Sequence, residues 1–160
     1  MTRPLWAPWR LAYVQQAGDA EGCVFCREAE GALGDQTLVV HRAERTVALL
    51  NKFPYASGHV MVAPLRHVPA LEELEDAEWL ELHRVTTAAM AALRAIYRPD
   101  AFNVGWNLGE VAGGSIAGHL HQHVVPRWAG DTNFMPVLAD VKVLPEHLLE
   151  TRDRLAAAWP

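Results

Sequence analysis

Three histidines recur at every second position in the run His119-Leu-His121-Gln-His123, and imidazole is the side chain whose ordinary titration lies closest to neutrality. On a strand, a period of two puts all three rings on one face, with Leu120, Gln122 and Val124 on the other. One ring can then attack an electrophile, another can donate a proton, and the set can stabilise developing negative charge at pH 7. The competing reading of the same spacing is a metal-binding histidine face, or histidines that are merely structural. Just upstream, the stretch from Asn107 to Ser115 is rich in glycine. Its small residues, Gly114 among them, let backbone N–H groups approach a phosphate closely, with Asn107 and Ser115 as neutral side-chain donors. It is neither a Walker A loop nor a dinucleotide-binding fingerprint, and by itself such a loop is more often just a turn.

Two cysteines, Cys23 and Cys26, are the whole cysteine content and form one C-x-x-C. In a reducing compartment that pattern is a metal or redox site more readily than a structural disulfide. The surrounding sequence lacks the thioredoxin-like βαβ pattern that redox chemistry would call for.

These residues must be held by something, and periodicity supplies the elements. Leu38 to His41, Thr46 to Leu50 and His59 to Pro64 are short runs rich in Val, Leu and Met, separated by turn residues such as Phe53-Pro54 and Ser57-Gly58. They read as antiparallel strands. Trp79, Leu82, Val85, Ala89, Leu93 and Ile96 recur at three- and four-residue spacing, which predicts an amphipathic helix over Asp76 to Tyr97, stopped by Pro99. Ala101 to Trp106 and His119 to Pro126 read as two further strands, and Glu146 to Trp159 as a final helix. The stretch Leu5 to Val14, broken by prolines, reads as an arm tucking its aromatics onto the surface. Strand runs with segregated helices indicate an α+β fold.

A chain of 160 residues, 51% hydrophobic and 21% charged, fits one soluble globular domain. A net charge of −5 argues against a broad basic surface for nucleic acid. No apolar run is long enough to span a bilayer and the N-terminus lacks a secretory core, so the expectation is a cytoplasmic protein without a membrane partner. His41, His83 and His147 read as surface or packing residues, and the tryptophans as core or interface anchors.

The combination of Asn51-Lys-Phe-Pro-Tyr-Ala-Ser-Gly-His59-Val-Met-Val-Ala-Pro64, the Asn107 loop and His119-Leu-His-Gln-His-Val-Val-Pro126 resembles the histidine triad (HIT) superfamily. The likeness spans roughly residues 23–135 of a single 1–160 domain. The flanks Leu-Trp-Ala-Pro-Trp-Arg, Arg-His-Val and Pro-Arg-Trp-x-Gly-Asp-x-Asn-Phe resemble the bacterial branch related to diadenosine polyphosphate phosphorylases. The resemblance implies an antiparallel half-barrel sheet flanked by helices, paired as a homodimer. It implies that His121 is a nucleophile forming a covalent nucleotidyl-histidine, which water, phosphate or another acceptor resolves. His123 would contact the phosphate and assist the leaving group. His59 and His119 would support the nucleophile's orientation and tautomer, Asn51 would contact ribose, and Asn107, Gly114 and Ser115 would hold phosphate oxygens or the leaving group.

Many histidine triad proteins carry Gln where Ser115 stands, so the shorter donor here bears on the leaving-group contact and the substrate range. The implied substrate is a purine nucleotide or dinucleoside polyphosphate, cleaved by hydrolysis or by inorganic phosphate. The alternatives are an adenosine phosphoramidate hydrolase and a non-catalytic, zinc-stabilised nucleotide-binding module. By similarity to zinc-bearing relatives, Cys23, Cys26, His67 and His119 would form a Cys₂His₂ structural zinc set, as against two reduced, packed thiols. As a zinc ligand His119 would not serve as a proton carrier in the reaction, leaving His121 and His123 as the transferring pair. No organic cofactor is implied.

Overall fold

The computed structural model describes residues 22–31, 34–112, 118–131 and 146–160. Its strands are β1 (Val39–Arg42), β2 (Thr46–Leu50), β3 (Val60–Pro64), β4 (Ala101–Trp106) and β5 (Gln122–Arg127). Its helices are α1 (Val24–Ala29), α2 (Asp76–Tyr97) and α3 (Leu148–Ala157). Every ladder is antiparallel, and the strand order is β1-β2-β3-β5-β4. The fold is the expected α+β arrangement, an open antiparallel sheet with helices packed on it.

β2 and β3 are buried at every position because they lie mid-sheet with both faces covered. Alternate residues feed two cores. Ala48, Leu50, Val60 and Val62 pack with Leu82, Val85, Ala89 and Leu93 of α2 and Leu155 of α3. Val47, Leu49, Met61 and Ala63 pack instead with Phe25 of α1. Register carries this division onto β5. Val60 and Val62 pair with Val124 and Gln122, while Met61 pairs with His123. Gln122 and Val124 therefore face α2, where Thr86 Oγ1 donates to Gln122 Oε1 at 2.6 Å, and His123 faces the α1 side.

α2 has the predicted bounds because both ends are encoded locally. Glu75 and Glu78 form a reciprocal capping box at its start, Arg98 closes it in the left-handed conformation, and Pro99 follows. Glu78 is also buried beneath Arg66, whose Nε and Nη2 donate to its two carboxylate oxygens at 3.1 and 2.7 Å. Hydrogen bonding from Arg66 holds that carboxyl below its ordinary range against the opposing effect of burial. The pair fixes the chain one residue before His67.

β1 and β3 each begin one residue later than expected, at Val39 and Val60, and three larger differences appear. The strand expected from His119 begins at Gln122: residues 119–121 lie outside the ladder, and Leu120 N–H donates instead to Val68 O at 2.7 Å. The final helix starts at Leu148 rather than Glu146, with the His147 ring as its N-cap acceptor. Helix α1 was not expected; at six residues it depends on burial of Phe25 rather than on propensity. The N-terminal arm lies outside the described residues.

Candidate active site and metal centre

The three imidazoles do share a face, although only His123 lies within the strand. His119 and His121 both rest against Phe25, with ring centroids 5.0 and 4.9 Å away. His121 meets His123 edge-on at 4.9 Å. His119 and His121 are buried and His123 is half-buried.

Hydrogen bonds fix which nitrogen of each ring carries a proton. His121 Nδ1 lies 2.8 Å from the carbonyl oxygen of His119. A carbonyl only accepts, so Nδ1 holds the proton and Nε2 keeps a free lone pair. Burial pushes the His121 pKa below its ordinary value despite that carbonyl, so the ring is neutral and nucleophilic at pH 7. A second chain of bonds reaches His123. Tyr55 backbone N–H donates to His59 Nδ1 at 3.0 Å, which puts the His59 proton on Nε2. That nitrogen is 2.9 Å from His123 Nδ1, so His59 donates and neutral His123 carries its own proton on Nε2. The Asn107 amide nitrogen is placed 3.2 Å from this Nε2; with the proton on Nε2 the carboxamide, whose two ends are isosteric, must turn its oxygen to that position to accept. Burial, with His121 adding to it, pushes His123 down to about 4. At neutral pH the site thus holds one imidazole with a lone pair to give and a neighbour with an N–H to offer.

Asn51 is buried in the turn that carries His59. Its Oδ1 accepts Phe53 N–H at 2.9 Å, and its amide nitrogen approaches His59 Nδ1 at 3.4 Å. This places it beside the histidines, bracing the 51–59 turn. Gly114 and Ser115 lie outside the described residues. Arg127 and Trp128, weighed as cleft neighbours, are engaged elsewhere. Arg127 binds Asp131 and Asn103, and Trp128 Nε1 donates to Tyr97 O at 3.2 Å. His41 stacks on Trp159 at 4.7 Å, a packing role as expected.

The second cluster is Cys23, Cys26, His67 and His119, whose ligand atoms all lie within 4.8 Å of one another. His119 Nδ1 is 3.2 Å from Cys23 Sγ and 3.6 Å from Cys26 Sγ, and His67 Nδ1 is 3.3 Å from Cys26 Sγ. A tetrahedral zinc with ordinary Zn–S and Zn–N lengths has sulfur–nitrogen edges of about 3.6 Å. The donors fit that ion. His119 also has the right tautomer: its Nε2–H donates to Pro64 O at 2.8 Å, leaving Nδ1 free toward the sulfurs. Burial pushes the His119 pKa down to about 4, keeping it a neutral donor. Gly118 lets His67 in, since a Cβ there would stand 3.3 Å from His67 Nε2. His119 joins the two clusters, its ring turned to the thiols and its carbonyl to His121.

Sequence reasoning missed Phe25 and Tyr55. Phe25 is the wall against which His119 and His121 lie. Tyr55 packs its ring on His59 and His123 at 4.7 and 5.8 Å. Tyr55 stood inside the motif, but nothing in its spacing marked it; Phe25 sat between the cysteines in a helix that local pattern did not reveal.

Comparison with known proteins accords with this geometry. The family model of the HIT domain matches residues 34–130. An AP-4-A phosphorylase of Mycobacterium tuberculosis is 43% identical over 162 residues, covering 97% of this chain and 83% of that protein. An asymmetrical bis(5'-nucleosyl)-tetraphosphatase of Schizosaccharomyces pombe is 31% identical over 93 residues, covering 58% and 50% respectively. Among solved structures, a Zn-bound histidine triad family protein from Mycobacterium smegmatis superposes with a TM-score of 0.69 at 25% identity, covering 86% of this chain and 92% of that one. With a matching domain model and a relative alike over nearly its whole length, the chain belongs to the HIT domain family, and within it resembles the diadenosine polyphosphate phosphorylase branch.

Proposed function

We propose that this protein cleaves dinucleoside polyphosphates by way of a covalent nucleotidyl-His121, with inorganic phosphate as the acceptor. The observation that carries the reading is the buried, neutral His121, whose Nδ1–H is committed to the His119 carbonyl and whose Nε2 lone pair is thereby presented for attack. In the first step Nε2 forms a bond to the α-phosphorus as the bridging P–O bond breaks, and the leaving nucleoside polyphosphate takes the electron pair. His123 Nε2–H exchanges the Asn107 amide for the departing oxygen, where charge develops. In the second step a phosphate oxygen bonds to the same phosphorus and the P–N bond breaks, restoring neutral His121. Diadenosine tetraphosphate plus phosphate would give ATP and ADP. Likeness to a protein named a phosphorylase favours phosphate over water.

Zinc on Cys23, Cys26, His67 and His119 would supply structural anchoring. The role assigned to this chain's own residues is that His119 then holds its carbonyl under His121. A homodimer fits the same reading. β4 ends the sheet, and Val104 on it and Trp79 and Leu80 near the start of α2 are exposed apolar residues. Light scattering tests that state.

Product analysis after incubation with diadenosine tetraphosphate, with and without inorganic phosphate, tests the reaction. Phosphate-dependent ADP and ATP, absent from His121→Ala, is the expected result. AMP and ATP without phosphate would mean hydrolysis by the same histidine. No cleavage would overturn the reading, with adenosine phosphoramidate as the next substrate and a non-catalytic binding module as the remaining class.

A further inference from the structure

Tyr55 and Phe53 are large aromatic residues left 49% and 48% exposed beside a buried histidine cluster. Side chains of this size normally remove most of their apolar surface from water, and neighbouring exposed ones mark a place where something binds. The turn that bears them is not loose. Phe53 N–H is held by Asn51 Oδ1, Tyr55 N–H by His59 Nδ1, and His59 N–H by Ala56 O at 3.1 Å. Pro54 further restricts the backbone between the two rings. Rigid, exposed aromatics lose little entropy when a flat ligand stacks on them.

Their position says which part of a ligand would arrive. The rings run in the order Phe25, His121, His123, Tyr55, with centroid separations of 4.9, 4.9 and 5.8 Å. Attack by His121 requires the leaving oxygen to depart on the side of phosphorus opposite Nε2, and His123 is the N–H donor beside that path. A leaving group that continues past His123 meets the Tyr55 ring, which packs on His59 and His123 on one side and keeps about half of its surface exposed. Lys52 lies at the same edge, with its ammonium 5.9 Å from the Phe53 ring centroid, where it adds positive charge for a polyphosphate.

We infer that Tyr55, with Phe53 beside it, is a stacking platform for the base of the departing nucleotide, and so sets a preference for dinucleoside polyphosphates over mononucleoside polyphosphates. This rests on His121 as the attacking group. Base-on-aromatic stacking changes affinity by roughly tenfold or more and tolerates any nucleobase, because each has a π-face.

The test compares diadenosine tetraphosphate with adenosine 5'-tetraphosphate, which has the same phosphate number and lacks the second base. Binding of each is measured calorimetrically to full-length His121→Asn protein, alone and combined with Tyr55→Ala, Tyr55→Leu or Tyr55→Phe. The platform predicts roughly tenfold tighter binding of the dinucleotide, a ratio near one for the Ala and Leu variants, and a retained ratio for Phe. Leu keeps apolar bulk against His59 should Ala prevent folding. A starting ratio near one, a ratio that survives loss of the ring, equal weakening of both ligands, or no binding of either would overturn it. Turnover by the unsubstituted protein separates the two readings. Cleavage with a ratio of one removes the platform and leaves the reaction; a ring-dependent ratio without cleavage removes the reaction and overturns the assignment of the stacked base to a departing nucleotide.

Discussion

His59 Nε2 lies 2.9 Å from His123 Nδ1, across 64 residues of chain, and the backbone N–H of Tyr55 on the far side of His59 decides the direction in which that bond donates. The proton of His123 is thereby kept on Nε2. His59→Phe removes the donor and frees His123 to adopt the other tautomer. The expected result is a fall in kcat of about 10²-fold with KM changed little, together with a change in the ¹⁵N shifts of the His123 ring. Unaltered ring shifts would mean that His59 only fills space.

The pH dependence of stability should carry the mark of His123. Its folded pKa is about 4 against an ordinary 6.5, through burial first and His121 second. Between those values the unfolded chain takes up a proton that the folded chain refuses. Stability therefore falls as pH drops from 6.5 toward 4, and this group contributes no slope above 6.5. The slope approaches about 1.4 kcal/mol per pH unit. Urea unfolding between pH 7.5 and 4.5 should show it on top of the like-signed contributions of His119 and His121, and His123→Gln should lower the slope by up to about 1.4 kcal/mol per pH unit; an unchanged slope would place the titrating group elsewhere.

Zinc loading should release protons. Burial, then the neighbouring Cys23, pushes the Cys26 thiol up to about 11, so without metal it is protonated at pH 7.5, and ligation requires the thiolate. Calorimetric titration of metal-stripped protein with zinc in buffers of different ionisation enthalpy measures the number released. Cys26→Ser should lower that number by about one and lower the Tm of the loaded protein. Binding without proton release would exclude thiolate ligation.

Gly58 is where the 51–59 turn meets α2. Its φ is +74°, and a Cβ there would stand 2.7 Å from Leu93 Cδ2 and 3.2 Å from Tyr97 Cε2. Gly58→Ala should cost about 2–4 kcal/mol from left-handed backbone strain and overpacking together. Denaturant unfolding measures the loss, and a change below about 0.5 kcal/mol would mean that α2 yields without cost.

α2 and β4 were legible to the residue because their stops are written locally, in Glu75, Glu78 and Pro99 for the helix and in turn residues for the strand. The histidine spacing correctly gave a shared face. It overran the strand by three residues because Leu120 bonds to Val68, a contact no local pattern contains. The metal set was reached through the family likeness: the cysteine spacing marked one half, but His67 and His119 join it only by folding. α1 was illegible because its stability comes from where Phe25 lands, beneath a sheet whose strands lie later in the sequence. Of the substrate-binding residues expected, Asn107 is on His123, Asn51 braces the turn, and Gly114 and Ser115 fall outside the described residues.

The strand order has a consequence for how the chain acquires its chemistry during synthesis. β5 inserts between β3 and β4, so β4 has no ladder partner in the described sheet until residues 122–127 arrive. A growing chain that has emerged only as far as Trp106 can close the β1-β2-β3 meander against α2, but it carries β4 as an orphan strand and leaves the β3 edge open. The same late segment brings His123 to His59. Closure of the sheet and assembly of the histidine cluster are one event, and a ribosome-bound fragment ending before Gln122 should be both inactive and prone to pair its open edge with another chain.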